Sequence, residues 1–205
     1  MGVSSAVELW TIPLENPRNG QLAGLLSEDE TARAARFRSE KDRYRWTNAR
    51  LALRSILAIY AGEPPESLRF FCNENGKPAL ASTAGIEFNL SHAGEFALIA
   101  VSTSTPVGVD IERIRTNVDI AALLRRLGEA DLPETIPELY HRWTRREARS
   151  KAAGGQLFVT PLSGIHAIDV PAPEGYAASV ATSKTPISLV LREDSYLGLA
   201  ATKRI

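Results

Sequence analysis

Two periods of hydrophobic spacing divide this chain into alternating helical and strand-like stretches. Ser27-Glu28-Asp29-Glu30 reads as a capping box, with the Ser27 hydroxyl and Glu30 carboxylate satisfying free amides at a helix start. Helical spacing continues in pieces to about Ala61. Leu51, Ser55 and Ala58, with Leu53, Leu57 and Tyr60, predict a largely buried helix. Gly62-Glu63-Pro64-Pro65 stops it, because proline removes a donor and clashes with the preceding turn. Strand signals follow. Leu68–Cys72 is short and aromatic, Asn73–Pro78 makes a turn, and Ile86–Leu90, Phe96–Ser102 and Val107–Glu112 are three further short strands. No helix fits between these three, so the spacing predicts antiparallel neighbours rather than helical crossovers.

The second half repeats that order loosely. Asn117 or Asp119 caps a helix to about Leu127, and a longer helix fits Pro137–Ala153, closed by Gly154-Gly155. Strands are expected at Gly164–Val170, Ala177–Thr182, Ile187–Arg192 and Tyr196–Thr202. Helices then strands, twice over, predict an α+β protein of two similar halves meeting near residue 105.

Composition narrows the class. The 205 residues, 44% of them hydrophobic, suffice to bury a sizeable core. Lys plus Arg equals Asp plus Glu at 24 each, so net charge points to no partner. Charge distribution does: Arg33, Arg36, Arg38, Lys41, Arg43, Arg45, Arg50 and Arg54 share one stretch, which suits an anionic, phosphate-rich ligand. Cys72 is the only cysteine, so no intramolecular disulfide forms. The longest apolar run, Phe96–Val101, is strand-sized, and the N-terminus lacks a secretory pattern. A cytoplasmic protein is expected.

Four short constellations carry candidate chemistry. In Val107-Gly108-Val109-Asp110-Ile111-Glu112 the alternation puts Asp110 and Glu112 on one strand face, with Gly108 leaving open space beside them for a ligand. Each acid raises the other's proton affinity, so a hard cation such as Mg²⁺ between them is a natural solution. Trp143, Glu147 and Lys151 share a helix face at four-residue intervals. Trp143 would anchor that face, Glu147 complete a metal site or accept a proton, and Lys151 hold a phosphate. Phe88-Asn89-Leu90-Ser91-His92 ends a strand with a hydroxyl and an imidazole able to grip phosphate. Asn75-Gly76-Lys77-Pro78 sets Lys77 on a turn. Taken singly, each is more often solvated surface charge than a site.

Their order is more telling. Gly76-Lys77-Pro78, Phe88 to His92, Val107 to Glu112, then Trp143-Thr144-x-x-Glu147-Ala148-x-x-Lys151-Ala152 resembles the 4'-phosphopantetheinyl transferase superfamily, and within it the surfactin-synthetase-activating, two-halved type. The resemblance runs from about Arg33 to Gly155. It implies two halves, 1–105 and 106–205, each a small antiparallel sheet packed on a long helix, with the active site in the cleft between them. It implies transfer of 4'-phosphopantetheine from coenzyme A to a serine of an apo acyl or peptidyl carrier protein, with release of 3',5'-ADP. Asp110, Glu112 and Glu147 match the Mg²⁺ carboxylates, Asp110 also lying against the cofactor. Lys151 matches a lysine on the coenzyme A phosphates. Ser91 and His92 match the pair that holds the nucleotide, His92 towards its 3'-phosphate. Arg45 and Lys77, with Arg33 as a further addition, match basic residues lining the pocket. Glu147 is the expected base. The partners implied are coenzyme A and a carrier protein acting on a monomer, with no nucleic acid and no membrane.

The chain departs from the pattern at three places. Arg146 stands where the family has Lys, Glu30 where some relatives carry a basic residue, and the segment between Leu127 and Trp143 is short and holds Pro133 and Pro137. Two rival readings are a non-catalytic binder of coenzyme A or carrier protein and another Mg²⁺-dependent enzyme that cleaves phosphodiesters. The first has little need for three carboxylates, and the second leaves Ser91, His92 and Lys77 unexplained.

Overall fold

The structure, a computed structural model, describes residues 6–15, 24–74, 76–81, 85–126, 128–154 and 162–192. The architecture is α+β, in four layers: helix, sheet, sheet, helix. The first sheet has the order β4-β5-β1-β9, built from β1 (Val7–Pro13), β4 (Glu87–Ala93), β5 (Phe96–Ser102) and β9 (Leu189–Arg192). The second is β6-β8-β7, from β6 (Val107–Arg113), β7 (His166–Asp169) and β8 (Tyr176–Thr182). A two-stranded ribbon, β2 (Phe70–Cys72) with β3 (Pro78–Leu80), stands apart. The long helices α2 (Glu40–Ala61) and α4 (Ile136–Ala152) form the outer layers, and α1 (Glu28–Ala35) and α3 (Ile120–Arg126) are short.

Alternation along the strands builds the layers. Trp10, Ile12, Ala97, Ile99 and Val101 pack on Leu53, Ile56 and Leu57 of α2. The opposite faces of the same strands, through Leu9, Leu98 and Ala100, pack on Val107, Val109, Ile111 and Val180 of the second sheet. The period-two reading of β6 therefore holds: its odd-numbered apolar residues enter this core, and Gly108, Asp110 and Glu112 face α4.

Three features differ from the sequence expectations. Pattern analysis places no strand before residue 27, yet β1 sits inside the first sheet, antiparallel to β5 and parallel to β9. Its segment, VELWTIP, is apolar on both faces, as a strand covered on both sides must be. The ribbon strand β3 emerges from what reads as a turn. β6 does not continue the antiparallel run after β5; it leaves to pair with β8. The strand expected at Tyr196–Thr202 lies outside the described residues. Among the described residues no helix is long and apolar enough to cross a membrane.

The α1 capping box forms as read: Ser27 Oγ accepts from the Glu30 amide at 3.3 Å, and Glu30 Oε2 from the Ser27 amide at 3.0 Å. Glu30 has a second task. Its carboxylate also accepts from Arg50 Nε at 2.9 Å and from Arg54 Nε at 2.6 Å. Arg54 is 1% exposed and spends another nitrogen on the carbonyls of Pro65, at 2.7 Å, and Leu68, at 3.1 Å. Glu30 thus pins α1 to α2, its charge spent on Arg50 and Arg54. Burial alone would raise its pKa, but the Arg50 charge, the Ser27 amide and bonds from Arg54 and Arg50 outweigh it, leaving it below the ordinary 4.5. A lowered native pKa means the unfolded chain takes the proton more readily. The stabilisation is therefore complete above the unfolded value and lost as pH falls through the native one. Glu30→Gln leaves a buried guanidinium uncompensated and should cost about 3 kcal/mol at neutral pH. In urea melts, the gap to the parent should close as pH drops below 4.5.

Candidate active site

The site forms where β4, β6 and α4 meet, and small residues make that meeting possible. Facing α4 across the β6–β8 pair, Gly108 stands opposite Ala181 and Asp110 opposite Ser179. Thr144, Ala148 and Ala152 on α4 fill this shallow surface, all buried, with Thr144 Oγ1 and Ser179 Oγ 2.8 Å apart. A Cβ on Gly108 would lie 2.1 Å from the Ala148 carbonyl oxygen and 2.4 Å from the Ala152 nitrogen. The space expected beside Gly108 for a ligand is thus filled by the helix backbone, and the glycine serves close packing. The buried row of α4 is Tyr140, Thr144, Ala148 and Ala152, while Trp143, Glu147 and Lys151 are partly exposed along the flank that edges the site.

β4 holds β6 from the other side. Asn89 Oδ1 accepts the Val109 amide at 3.0 Å, and Ser91 Oγ donates to Asp110 Oδ1 at 2.8 Å. Lys151 Nζ closes the arrangement, 2.6 Å from Asp110 Oδ1 and 3.0 Å from Ser91 Oγ. Asp110 is 3% exposed, and its Oδ2 is buried without a hydrogen-bond partner. Burial raises the pKa of Glu112, and so do the neighbouring Asp110 and Glu147 carboxylates. Burial, with a smaller push from Asp110, raises that of Glu147 against the pull of Lys151. The three expected carboxylates therefore feel one another and one ammonium. They do not form a closed cage: among the described residues no three Asp, Glu, His or Cys side chains are gathered tightly enough to chelate an ion. The orphaned Asp110 oxygen and the mutual destabilisation of the acids nonetheless fit a hard divalent cation.

The other expected residues spread around this centre. His92, one step beyond Ser91, points to the opposite face of β4 and is exposed. Surrounding protein lowers its pKa, and the Lys151 charge lowers it further. It lines a cleft of about 950 Å³ together with Arg33, Trp46, Arg50, Phe70 and Asn89, and with the acids Glu28, Asp29, Glu30 and Glu66 towards the α1 end. Arg33 stacks 5.6 Å from the Trp46 ring centre, and Arg50 4.8 Å from that of Phe70. The cleft and the acid cluster are adjacent, not identical: Asn89, which bonds to β6, lines the cleft, and Asp110, Glu112 and Glu147 do not. Lys77 lies at a third corner, where Nζ donates to the Val107 carbonyl at 3.2 Å and pairs with Glu87 at 3.6 Å. Burial lowers its pKa against the opposing effect of Glu87. Arg45 is not brought to the carboxylates: it pairs with Glu15 at 2.6 Å and Glu95 at 3.6 Å. Arg146 turns away from the acids to Glu129, 3.1 Å distant.

Sequence reasoning overlooked Trp46, Phe70 and Asn89 as parts of the site. The Trp46 and Arg50 signal, an aromatic and a cation on successive turns of a helix already rich in arginine, was present. Nothing in the strand Phe88–Leu90 announces that Asn89 reaches a neighbouring backbone.

Buried carboxylate, ammonium and hydroxyl beside an arginine-lined cleft form equipment for a phosphate-bearing ligand. Comparison with known proteins gives that class a family. A family model described as "4'-phosphopantetheinyl transferase, N-terminal" matches residues 16–104. The chain is 38% identical over 166 residues to the 4'-phosphopantetheinyl transferase HetI of Nostoc sp., covering 74% of this chain and 70% of that one. It is 37% identical over 125 residues to the 4'-phosphopantetheinyl transferase AcpT of Escherichia coli, covering 57% and 60%. Similarity to the 4'-phosphopantetheinyl transferase Sfp of Bacillus subtilis is 26% over 152 residues, covering 71% and 67%. The chain belongs to the 4'-phosphopantetheinyl transferase family.

Proposed function

We propose that this chain, acting as a cytoplasmic monomer and with Mg²⁺, moves the 4'-phosphopantetheine group of coenzyme A onto a serine of an apo acyl or peptidyl carrier protein. The observation that carries the reading is the junction of Asp110, Ser91 and Lys151, with Glu112 and Glu147 beside it and the arginine-lined cleft next door. Asp110, Glu112 and Glu147 are the residues that would hold Mg²⁺. Bound there, the ion supplies charge neutralisation for the pyrophosphate.

The chain's own residues position the reactants. Lys151 takes the coenzyme A phosphates, Ser91 and His92 hold the nucleotide, His92 towards its 3'-phosphate, and Lys77 reaches the same anion from its corner by leaving the Val107 carbonyl and Glu87. Arg45 joins them by exchanging its Glu15 and Glu95 partners for phosphate oxygens. The carrier serine oxygen bonds to the β-phosphorus as the bond from that phosphorus to its bridging oxygen breaks, and 3',5'-ADP departs with the electron pair. The serine proton passes to Glu147, whose raised proton affinity suits a general base. No covalent enzyme intermediate is required.

The test mixes the protein with Mg²⁺, coenzyme A and apo carrier, and weighs the carrier by mass spectrometry. A phosphopantetheine-sized gain matched by 3',5'-ADP release is expected. No gain across acyl, aryl and peptidyl carriers would overturn the reading.

A further inference from the structure

We propose that Lys151 is the resident counter-ion of Asp110 in the ligand-free protein, and that a divalent cation and Lys151 are alternative occupants of this carboxylate. The inference rests on the reading above, in which Asp110 is a cation ligand and Lys151 a phosphate ligand.

Three observations carry it. The ammonium of Lys151 lies 2.6 Å from Asp110 Oδ1, and Ser91 bridges the two at 2.8 and 3.0 Å. This is a closed, charge-assisted ring, not a passing surface contact. Asp110 cannot withdraw from it, being 3% exposed on a strand flanked by β4 and β8. The helix is seated in direct backbone contact with Gly108, held there by the buried Thr144, Ala148 and Ala152. The one mobile member is the Lys151 side chain, a four-carbon stem whose side chain is 29% exposed.

A divalent ion drawn to Asp110 meets a positive charge already seated on Oδ1. Either the ion binds weakly or the ammonium leaves. The departing ammonium has somewhere to go, since the phosphates of coenzyme A are the anions assigned to it. Cation and coenzyme A therefore help one another. Each draws on the carboxylate or the lysine that the other releases, and linkage makes the help reciprocal. In the absence of both, Lys151 holds the buried carboxylate neutralised, which keeps the metal-free protein folded around it.

The experiment measures Mn²⁺ binding to the coenzyme A-free protein by electron paramagnetic resonance. With its competitor removed, Lys151→Met should bind Mn²⁺ about tenfold more tightly than the parent. Lys151→Arg keeps a cation at the position and should stay near the parent, and a remote Lys184→Met controls for loss of one positive charge. Adding Asp110→Asn to Lys151→Met should abolish the gain, and in the parent it should weaken Mn²⁺ binding. Equal or weaker Mn²⁺ binding by Lys151→Met, with binding still sensitive to Asp110→Asn, overturns the competition while leaving the carboxylate assignment in place. Mn²⁺ binding indifferent to Asp110→Asn, or none in any variant, overturns the cation site itself and the competition with it. Should Lys151→Met unfold, the remaining readout is the carboxylate. Asp110 carbon-13 shifts in the parent protein must move on Mn²⁺-free Mg²⁺ addition together with the Lys151 Nζ resonance, and a static Lys151 resonance sinks the proposal.

Discussion

Glu147→Gln is expected to lower turnover by about a hundred- to ten-thousandfold, the range in which a positioned general base contributes. The substitution keeps the shape of the side chain but replaces one acceptor oxygen by a donor and removes the charge, so it takes away the ability to accept the serine proton and weakens one assigned Mg²⁺ ligand. Coenzyme A binding measured without Mg²⁺ should survive, because the side chains assigned directly to the phosphates and nucleotide, Lys151, His92, Ser91 and Lys77, are untouched. Single-turnover rates beside a direct binding titration separate the two effects. Glu147 lies partly exposed on the flank of α4, so its loss should barely disturb folding. Burial is the main cause of its raised pKa, with Asp110 adding to it against the pull of Lys151, and a raised pKa makes the ionised carboxylate a stronger proton acceptor. A variant that retains near-parent single-turnover rates removes Glu147 from the role of base.

Gly108→Ala should be strongly destabilising, since among the described glycines a Cβ here meets the closest backbone atoms. The added carbon would sit 2.1 Å from one α4 backbone atom and 2.4 Å from another, and backbone on both sides cannot rotate away as a side chain can. The expected loss is about 3 kcal/mol or more, equivalent to roughly 6–12 °C in Tm for a chain of this size. The sign is informative, since Gly→Ala at an unstrained position usually stabilises by limiting the unfolded chain. Function should suffer beyond stability. Forcing α4 outward separates Lys151 and Glu147 from Asp110, so even the folded fraction should lose activity. An unchanged or raised Tm in a calorimetric scan would show that α4 packs on β6 less closely than described.

Much of the fold was legible, because local rules wrote it. The cap at Ser27 and the stop at Gly62 appear as helix boundaries, whereas the Thr135 cap of α4 is seen only in the structure. The Phe96–Ser102 strand is found at the expected residues. The N-terminal strand was not legible, since an apolar segment covered on both faces shows no alternation. The β3 strand escaped for the opposite reason: three residues after a turn carry too little pattern. Glu30 illustrates a residue read correctly and incompletely. Its capping role is local and visible, whereas its bonds to Arg50 and Arg54, 20 and 24 residues away, depend on how α1 lies on α2.

The candidate site divides along the same line. By itself the sequence determined that Asp110 and Glu112 share a strand face and that Glu147 and Lys151 share a helix flank, because backbone geometry alone sets periods of two and of about four residues. It also supplied the order of motifs from which the family was read. Only the tertiary structure decided that Lys151 reaches Asp110 across 41 residues of sequence, that Ser91 joins them, and that Arg45 and Arg146 are engaged elsewhere. It also decided that Gly108 makes room for a helix and not for a ligand. Those contacts depend on how closely two elements approach, which is set by the summed packing of a whole layer. No short stretch of residues carries that information.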